Sequence, residues 1–130
     1  MVEIVENLKE QIRSKYSTRF IIMLTEASIG KPPSHMAPYV TAKYALMGFC
    51  KTVAVELGRY GLRINMISPG MINTDLLNDF PIKAVELAAS KNPDGTIALP
   101  EDVSHVVSFL LSDEAAHLNG MNFNLDGKEI

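Results

Sequence analysis

Tyr39 and Lys43 stand four residues apart, a spacing that puts two side chains on one face of a helix. A tyrosine hydroxyl has an ordinary pKa of about 10 and trades protons poorly at neutral pH. An ammonium one turn away stabilises the phenolate and brings that exchange into range. The phenol can then protonate a developing alkoxide, or act as base in the reverse direction. The same spacing also arises where a tyrosine packs at a helix start and a lysine reaches for solvent, so the pair needs context. Other chemistries find less material. There is no G-x-S-x-G nucleophile elbow. His35, His105, His117 and Cys50 lack metal-ligand spacing.

The elements that must position the pair are legible from apolar periodicity. Val2, Val5, Leu8 and Ile12 recur at helical spacing over 2–15. Residues 19–25 (RFIIMLT) form a β-rich run, apolar on both faces, which suits the interior of a parallel sheet covered by helices. A Pro/Gly loop over 30–38 follows, and Pro38 opens a helix that runs from Tyr39 to about Arg59. That helix carries two apolar stripes. One is Ala42, Ala45, Leu46, Phe49, Cys50, Val53 and Leu57, and the other is Val40, Tyr44, Met47 and Val55, so burial on two sides is expected. Residues 63–68 (RINMIS) read as a second strand running into the Pro69-Gly70 turn. Helical pieces broken by Pro81 cover 74–90, and a loop covers 91–98. Pro100-Glu101-Asp102 starts a further helix, and residues 121–125 form a last strand. Strands alternating with helices predict an α/β fold with a parallel sheet. In such sheets ligands bind beyond the carboxyl ends of the strands, which singles out the loops 26–38 and 69–79.

Composition narrows the remaining classes. The 130 residues fit a single domain, 1–130, and a hydrophobic content of 47% is that of a globular chain. A formal net charge of −3 gives no electrostatic case for nucleic acid or an anionic membrane surface. The single cysteine cannot form an internal disulfide, which fits a cytoplasmic location, and no apolar run is long enough for a bilayer.

Taken together, residues 39–77 (YVTAKYALMGFCKTVAVELGRYGLRINMISPGMINTDLL) resemble the catalytic half of the short-chain dehydrogenase/reductase family. Residues 100–127 (PEDVSHVVSFLLSDEAAHLNGMNFNLDG) are similar to that family's C-terminal signature and look most like its 3-oxoacyl-(acyl-carrier-protein) reductase branch. The resemblance implies the C-terminal half of a Rossmann-like, doubly wound sheet, with about three strands. It implies NAD(P)-dependent hydride transfer on a ketone or secondary alcohol, the substrate being a small molecule or acyl group. Tyr39 would be the catalytic acid/base. Lys43 would assist it and hold the nicotinamide ribose. Pro69 and Gly70 would line the nicotinamide, and the Ile72 backbone and Thr74 would contact its carboxamide and phosphate side. Thr74 also suits a helix N-cap, with Asp75 in the first turn.

The departures are as informative. The family places a serine twelve or thirteen residues before the tyrosine. Alignment on Gly30 puts Ala27 there, and a gap in the loop brings in Ser28, the candidate for positioning the substrate carbonyl. Glu26 is an unusual neighbour for that position. The glycines (Gly30, Gly48, Gly58, Gly61, Gly70, Gly95, Gly120 and Gly127) form neither G-x-G-x-x-G, nor T-G-x-x-x-G-x-G, nor a P-loop. The segment that would bind NADP or NAD through its pyrophosphate and adenine is thus expected to be missing from these 130 residues. Without it the first strand would be a bare apolar edge. Such a chain is expected to need a second copy or a complementing chain, docked through the 2–15 and 39–59 helices. The alternative reading is a non-catalytic truncated paralogue serving as a binding or regulatory subunit.

Overall fold

The computed structural model describes Ile12 and residues 18–127. The expected helix over 2–15 lies outside the described residues except for Ile12, which is helical and buried against Val53, Leu57 and Leu62. Three parallel strands form one sheet in the order β1 (Thr18–Met23), β2 (Leu62–Pro69), β3 (Asn122–Leu125). Between them run α1 (Ala37–Gly58), α2 (Ile82–Ala89) and α3 (Pro100–Leu111), so the α/β fold expected from the sequence is the one observed.

Strand β2 is the interior strand. Six of its last seven residues are buried, and Leu62, Met66 and Ile67 are shielded almost completely. Alternation along the strands divides the core. Phe20, Ile22, Leu24, Ile64 and Met66 face α1 and pack with Cys50 and Ala54. Ile21 and Ile67 face the other way and pack with Val106, Val107 and Leu110 of α3. Each such side chain, fully buried, contributes about 1.5–3 kcal/mol.

The 19–25 run has the apolar character of an interior strand, yet β1 stands at the edge of the described sheet and is half-buried along most of its length, because only β2 pairs with it, as expected of that strand without a further neighbour. One expectation needs revision: α1 is not enclosed on two sides. Val40, Cys50, Val53, Ala54 and Leu57 are buried, but Ala42 and Ala45 of the first stripe and Tyr44 and Val55 of the second are exposed, Val55 by 83%. The sheet covers one flank of the helix, and nothing among the described residues covers the other.

Local signals explain the element ends. Pro38 sits in the first turn of α1, where its missing N–H costs nothing. Pro81 separates the 3-10 turn Asp75–Asp79 from α2. At the start of α3 the Leu99 N–H donates to the Asp102 carboxylate at 2.7 Å, satisfying a donor the helix cannot.

Candidate active site

Tyr39 and Lys43 lie in the first two turns of α1, beside the carboxyl end of β1. The Lys43 Nζ is 5.6 Å from the centre of the Tyr39 ring, within reach of a cation–π contact. It also donates to the Met23 carbonyl at 2.9 Å, which anchors the helix start to the end of the strand. Tyr39 is 43% exposed. The pair lies on an open face.

The chain leaves β1 through a tight 3-10 turn, Glu26–Ser28. Thr25 precedes it, and its Oγ1 accepts from the Ala27 N–H at 3.3 Å. Ser28 is 2% exposed and donates its hydroxyl to the Thr25 carbonyl at 2.7 Å. As it stands, this hydroxyl closes the turn, and serving a substrate would require it to leave that bond. Thr25 offers a second, half-buried hydroxyl in the same turn. Its only signal in the sequence is its place at the end of the apolar run.

The second wall is the end of β2. Pro69 is buried opposite Leu125, and the Gly70 N–H donates to the Leu125 carbonyl at 3.0 Å. Gly70 is closely approached: a Cβ there would stand 3.0 Å from Cβ of Asp126, tighter than ordinary packing, and 3.6 Å from Oε2 of Glu26. Glu26 and Asp126 thereby flank the turn, and both line a crevice of about 20 Å³ with Met71 and Asn92. Ile72 forms an isolated parallel bridge with Ala98, tying the loop after β2 to the segment before α3. Thr74 occupies the N-cap position of the next 3-10 turn but makes no side-chain cap bond, so its exposed hydroxyl is not used for capping.

The structure thus brings Tyr39, Lys43 and Ser28 to the end of β1, and Pro69, Gly70, Ile72 and Thr74 to the end and exit of β2. Larger hollows lie elsewhere. One of about 650 Å³ is bounded by Asn92, Asp94, Asp102, His105 and Leu125. Another of about 460 Å³ is bounded by Pro32, Pro33, His35, Val40 and Tyr44. His35 has φ 65°, a left-handed conformation within the Pro-rich loop. No group of three or more His, Cys, Asp or Glu among the described residues could hold a metal ion. None of the described helices is long and apolar enough to cross a membrane.

Comparison with known proteins adds what geometry alone does not. A family model described as enoyl-(acyl carrier protein) reductase, of the short-chain alcohol dehydrogenase type, matches residues 3–127. The 3-oxoacyl-(acyl-carrier-protein) reductase of Rickettsia conorii is 33% identical over 122 residues, 94% of this chain and 50% of the relative. Among solved structures, a 4-hydroxyisoleucine dehydrogenase complexed with NADH superposes with a TM-score of 0.83 at 29% identity, covering 97% of this chain and 51% of that one. A 3-oxoacyl-(acyl-carrier-protein) reductase from Brucella melitensis shares the fold, with a TM-score of 0.84 at 23% identity over 98% of this chain and 48% of its own. The chain spans about half the length of the relatives it matches.

Proposed function

The chain belongs to the short-chain dehydrogenase/reductase family, and from that membership we propose that it is the C-terminal, catalytic half of an oxidoreductase acting on a ketone or secondary alcohol with NADP or NAD. The observation that carries this reading is the Lys43 ammonium 5.6 Å from the Tyr39 ring, beside the carboxyl end of a parallel strand. The dehydrogenase structure complexed with NADH and the acyl-carrier-protein reductases among the relatives support a nicotinamide cofactor and a small or acyl carbonyl substrate. We assign the chain to the cytoplasm on the same grounds.

The residues present fit one end of such a cofactor. The Pro69-Gly70 turn stands at the carboxyl end of β2, and the Thr74 hydroxyl is uncommitted to capping. Lys43 can reach hydroxyls at the cleft mouth by exchanging its bond to Met23, and the Ile72 backbone borders the same loop. The pyrophosphate and adenosine end finds no glycine-rich turn among the eight glycines. The nicotinamide, when bound, supplies or accepts the hydride. Tyr39 gives its hydroxyl proton to the carbonyl oxygen as negative charge develops there, and takes one back in the oxidative direction. Lys43 stabilises the phenolate left behind. Ser28 holds the carbonyl in the role the family gives its serine.

Such a chain works as part of a homo-oligomer or with a complementing chain, docked through the 2–15 segment and the 39–59 helix. The exposed Tyr44 and Val55 on the outer flank of α1 support that role. The second reading, a non-catalytic binding or regulatory subunit, is favoured by the burial of the Ser28 hydroxyl and the open setting of Tyr39. Titration of the purified chain with NADPH and NADH, followed by nicotinamide fluorescence, tests the enzyme reading for the chain alone. Binding supports the enzyme reading for the chain alone. Absence of binding at millimolar cofactor restricts catalysis to a complemented form.

A further inference from the structure

The hollow of about 650 Å³ lies between the loop 92–98, the start of α3 and the end of β3. Small-molecule sites occupy about 300–1,000 Å³, and this volume falls among them. Its polar lining is one-sided. Asp94, Asp102 and the Asn92 side chain border it, and among the described residues no lysine or arginine does. His105 follows Asp102 by one turn on the same face of α3. Asp94 accepts from the Thr96 N–H at 3.1 Å, and hydrogen bonds from Thr96 hold its carboxyl below the usual carboxylate range. Asp102 accepts from the Leu99 N–H through Oδ2. Pro93, Ile97, Leu99 and Leu125 make the rest of the wall apolar. An anion in this hollow would meet two carboxylates and no basic side chain.

A second observation is independent of that charge. Asn92 Oδ1 is buried and has no hydrogen-bond partner among the described residues. The amide cannot be turned to relieve it, because Nδ2 donates to the Thr96 carbonyl and an oxygen in its place would face another oxygen. A buried acceptor without a donor is costly, and folded proteins hold few of them. Gly127 lies against it, since a Cβ there would stand 3.2 Å from Oδ1. Asn92 and Gly127 both border the hollow, so the cover over this acceptor on that side is a residue without a side chain. The orphan acceptor and the two acids call for the same group, one that donates hydrogen bonds only and carries positive charge.

We propose that this hollow binds a small organic cation, a primary ammonium on a short apolar chain, with the chain against Ile97, Leu99 and Leu125 and the ammonium among Asp94, Asp102 and Asn92 Oδ1. A slight shift of the Gly127 backbone brings the ammonium to Oδ1. An ammonium has three donors and no acceptor, which suits this set of acceptors. The site stands apart from Tyr39 and Lys43, and it does not depend on the oxidoreductase reading. It touches the candidate active site through the backbone. Asn92, Ile97, Ala98 and Leu125 also wall the crevice beside Gly70, and the Asn73 N–H donates to Ala98 O at 2.9 Å. An occupant therefore braces the loop 92–98 and, through Ala98, the loop that leaves β2.

The test is an NMR titration of the full isotope-labelled chain, at low salt because exposed charges are screened. The probes are pentylammonium, 1-pentanol and pentanoate, which share a chain length and differ in charge. Pentylammonium shifts the Thr96, Ile97, Leu99 and Gly127 amides and the Asn92 side-chain amide along one saturable curve. Pentanol binds at least about tenfold more weakly, and pentanoate leaves these signals in place. Asp94→Asn combined with Asp102→Asn keeps the oxygens that Thr96 and Leu99 use, and weakens pentylammonium about tenfold. Asp75→Asn combined with Asp79→Asn removes equal charge from the 3-10 turn outside the hollow and leaves the affinity unchanged. Pentanol binding as tightly as pentylammonium overturns the proposal, and so does binding of pentanoate. No shift at tens of millimolar pentylammonium, or shifts scattered over the surface acids, overturns it too. Saturation with the Asn92 signal unmoved has the same force. A lysine side chain offers the same ammonium, so Nα-acetyl-lysine methylamide is run beside the other probes. Tighter binding of that probe than of pentylammonium gives the hollow to a polypeptide and overturns the small-molecule occupant.

Discussion

A phenol and an amine one turn apart are useful only if something holds the amine in place. The bond from Lys43 to the Met23 carbonyl does this, because it fixes the ammonium against the end of the strand and beneath the tyrosine ring. In the complemented protein, Tyr39→Phe should lower turnover about a hundredfold or more while cofactor affinity stays near that of the parent. Steady-state kinetics with a parallel fluorescence titration checks both halves of that statement. The two hydroxyls of the preceding turn separate in the same assay. If Ser28 leaves its bond to Thr25 to hold the substrate, Ser28→Ala lowers kcat/KM and Thr25→Ser does not. If Thr25→Ala carries the loss instead, the role passes to Thr25. Cys50 is fully buried, and burial pushes its thiol up from the ordinary range. A thiol reagent at pH 8 should label it slowly in the folded chain and rapidly in denaturant. The pair, the Pro-Gly turn and the buried cysteine were legible because each is a local pattern. The approach of Glu26 and Asp126 to Gly70 was not, since residues some forty and fifty positions away make it and no periodicity records it.

Elements here are joined as much by asparagine side chains as by apolar contacts. Asn65, buried in β2, donates to Leu118 O at 3.0 Å and accepts from the Met121 N–H at 3.1 Å. Asn119 accepts from Ile64 N–H at 3.0 Å and donates to Ala54 O at 2.9 Å, clipping the approach to β3 onto both β2 and α1. Ser68 donates to Asn122 at 2.9 Å. Asn65→Leu strands a backbone donor and an acceptor in the interior and should cost about 2–4 kcal/mol, read as a lower denaturant midpoint. Asp102→Ala removes the cap on α3 and should cost about 1 kcal/mol in the same measurement. Among the described residues, helix and strand positions could be read from apolar spacing, with ends correct to within two residues. The sequence could not reveal that β3, only four residues long, is held by polar clips, because an asparagine beside a strand reads as a turn residue until its partners are known.

At the scale of the molecule, β2 is the one described strand with neighbours on both sides, and both faces of the core are built on it. The parallel order was legible from the alternation of elements. The open flank of α1 was not, because an apolar stripe shows that a surface wants cover but not whether these residues provide it. One clip also sets how the chain ages. Asn119 precedes Gly120, and such a pair cyclises when the glycine nitrogen attacks the side-chain amide. In the fold that amide is tethered at both ends, and the Gly120 N–H is engaged with Ile64 O at 2.8 Å. Unfolding frees both reactants, and the carboxylate formed at 119 can no longer donate to Ala54. Each excursion from the native state thus risks a chemical scar that blocks the way back.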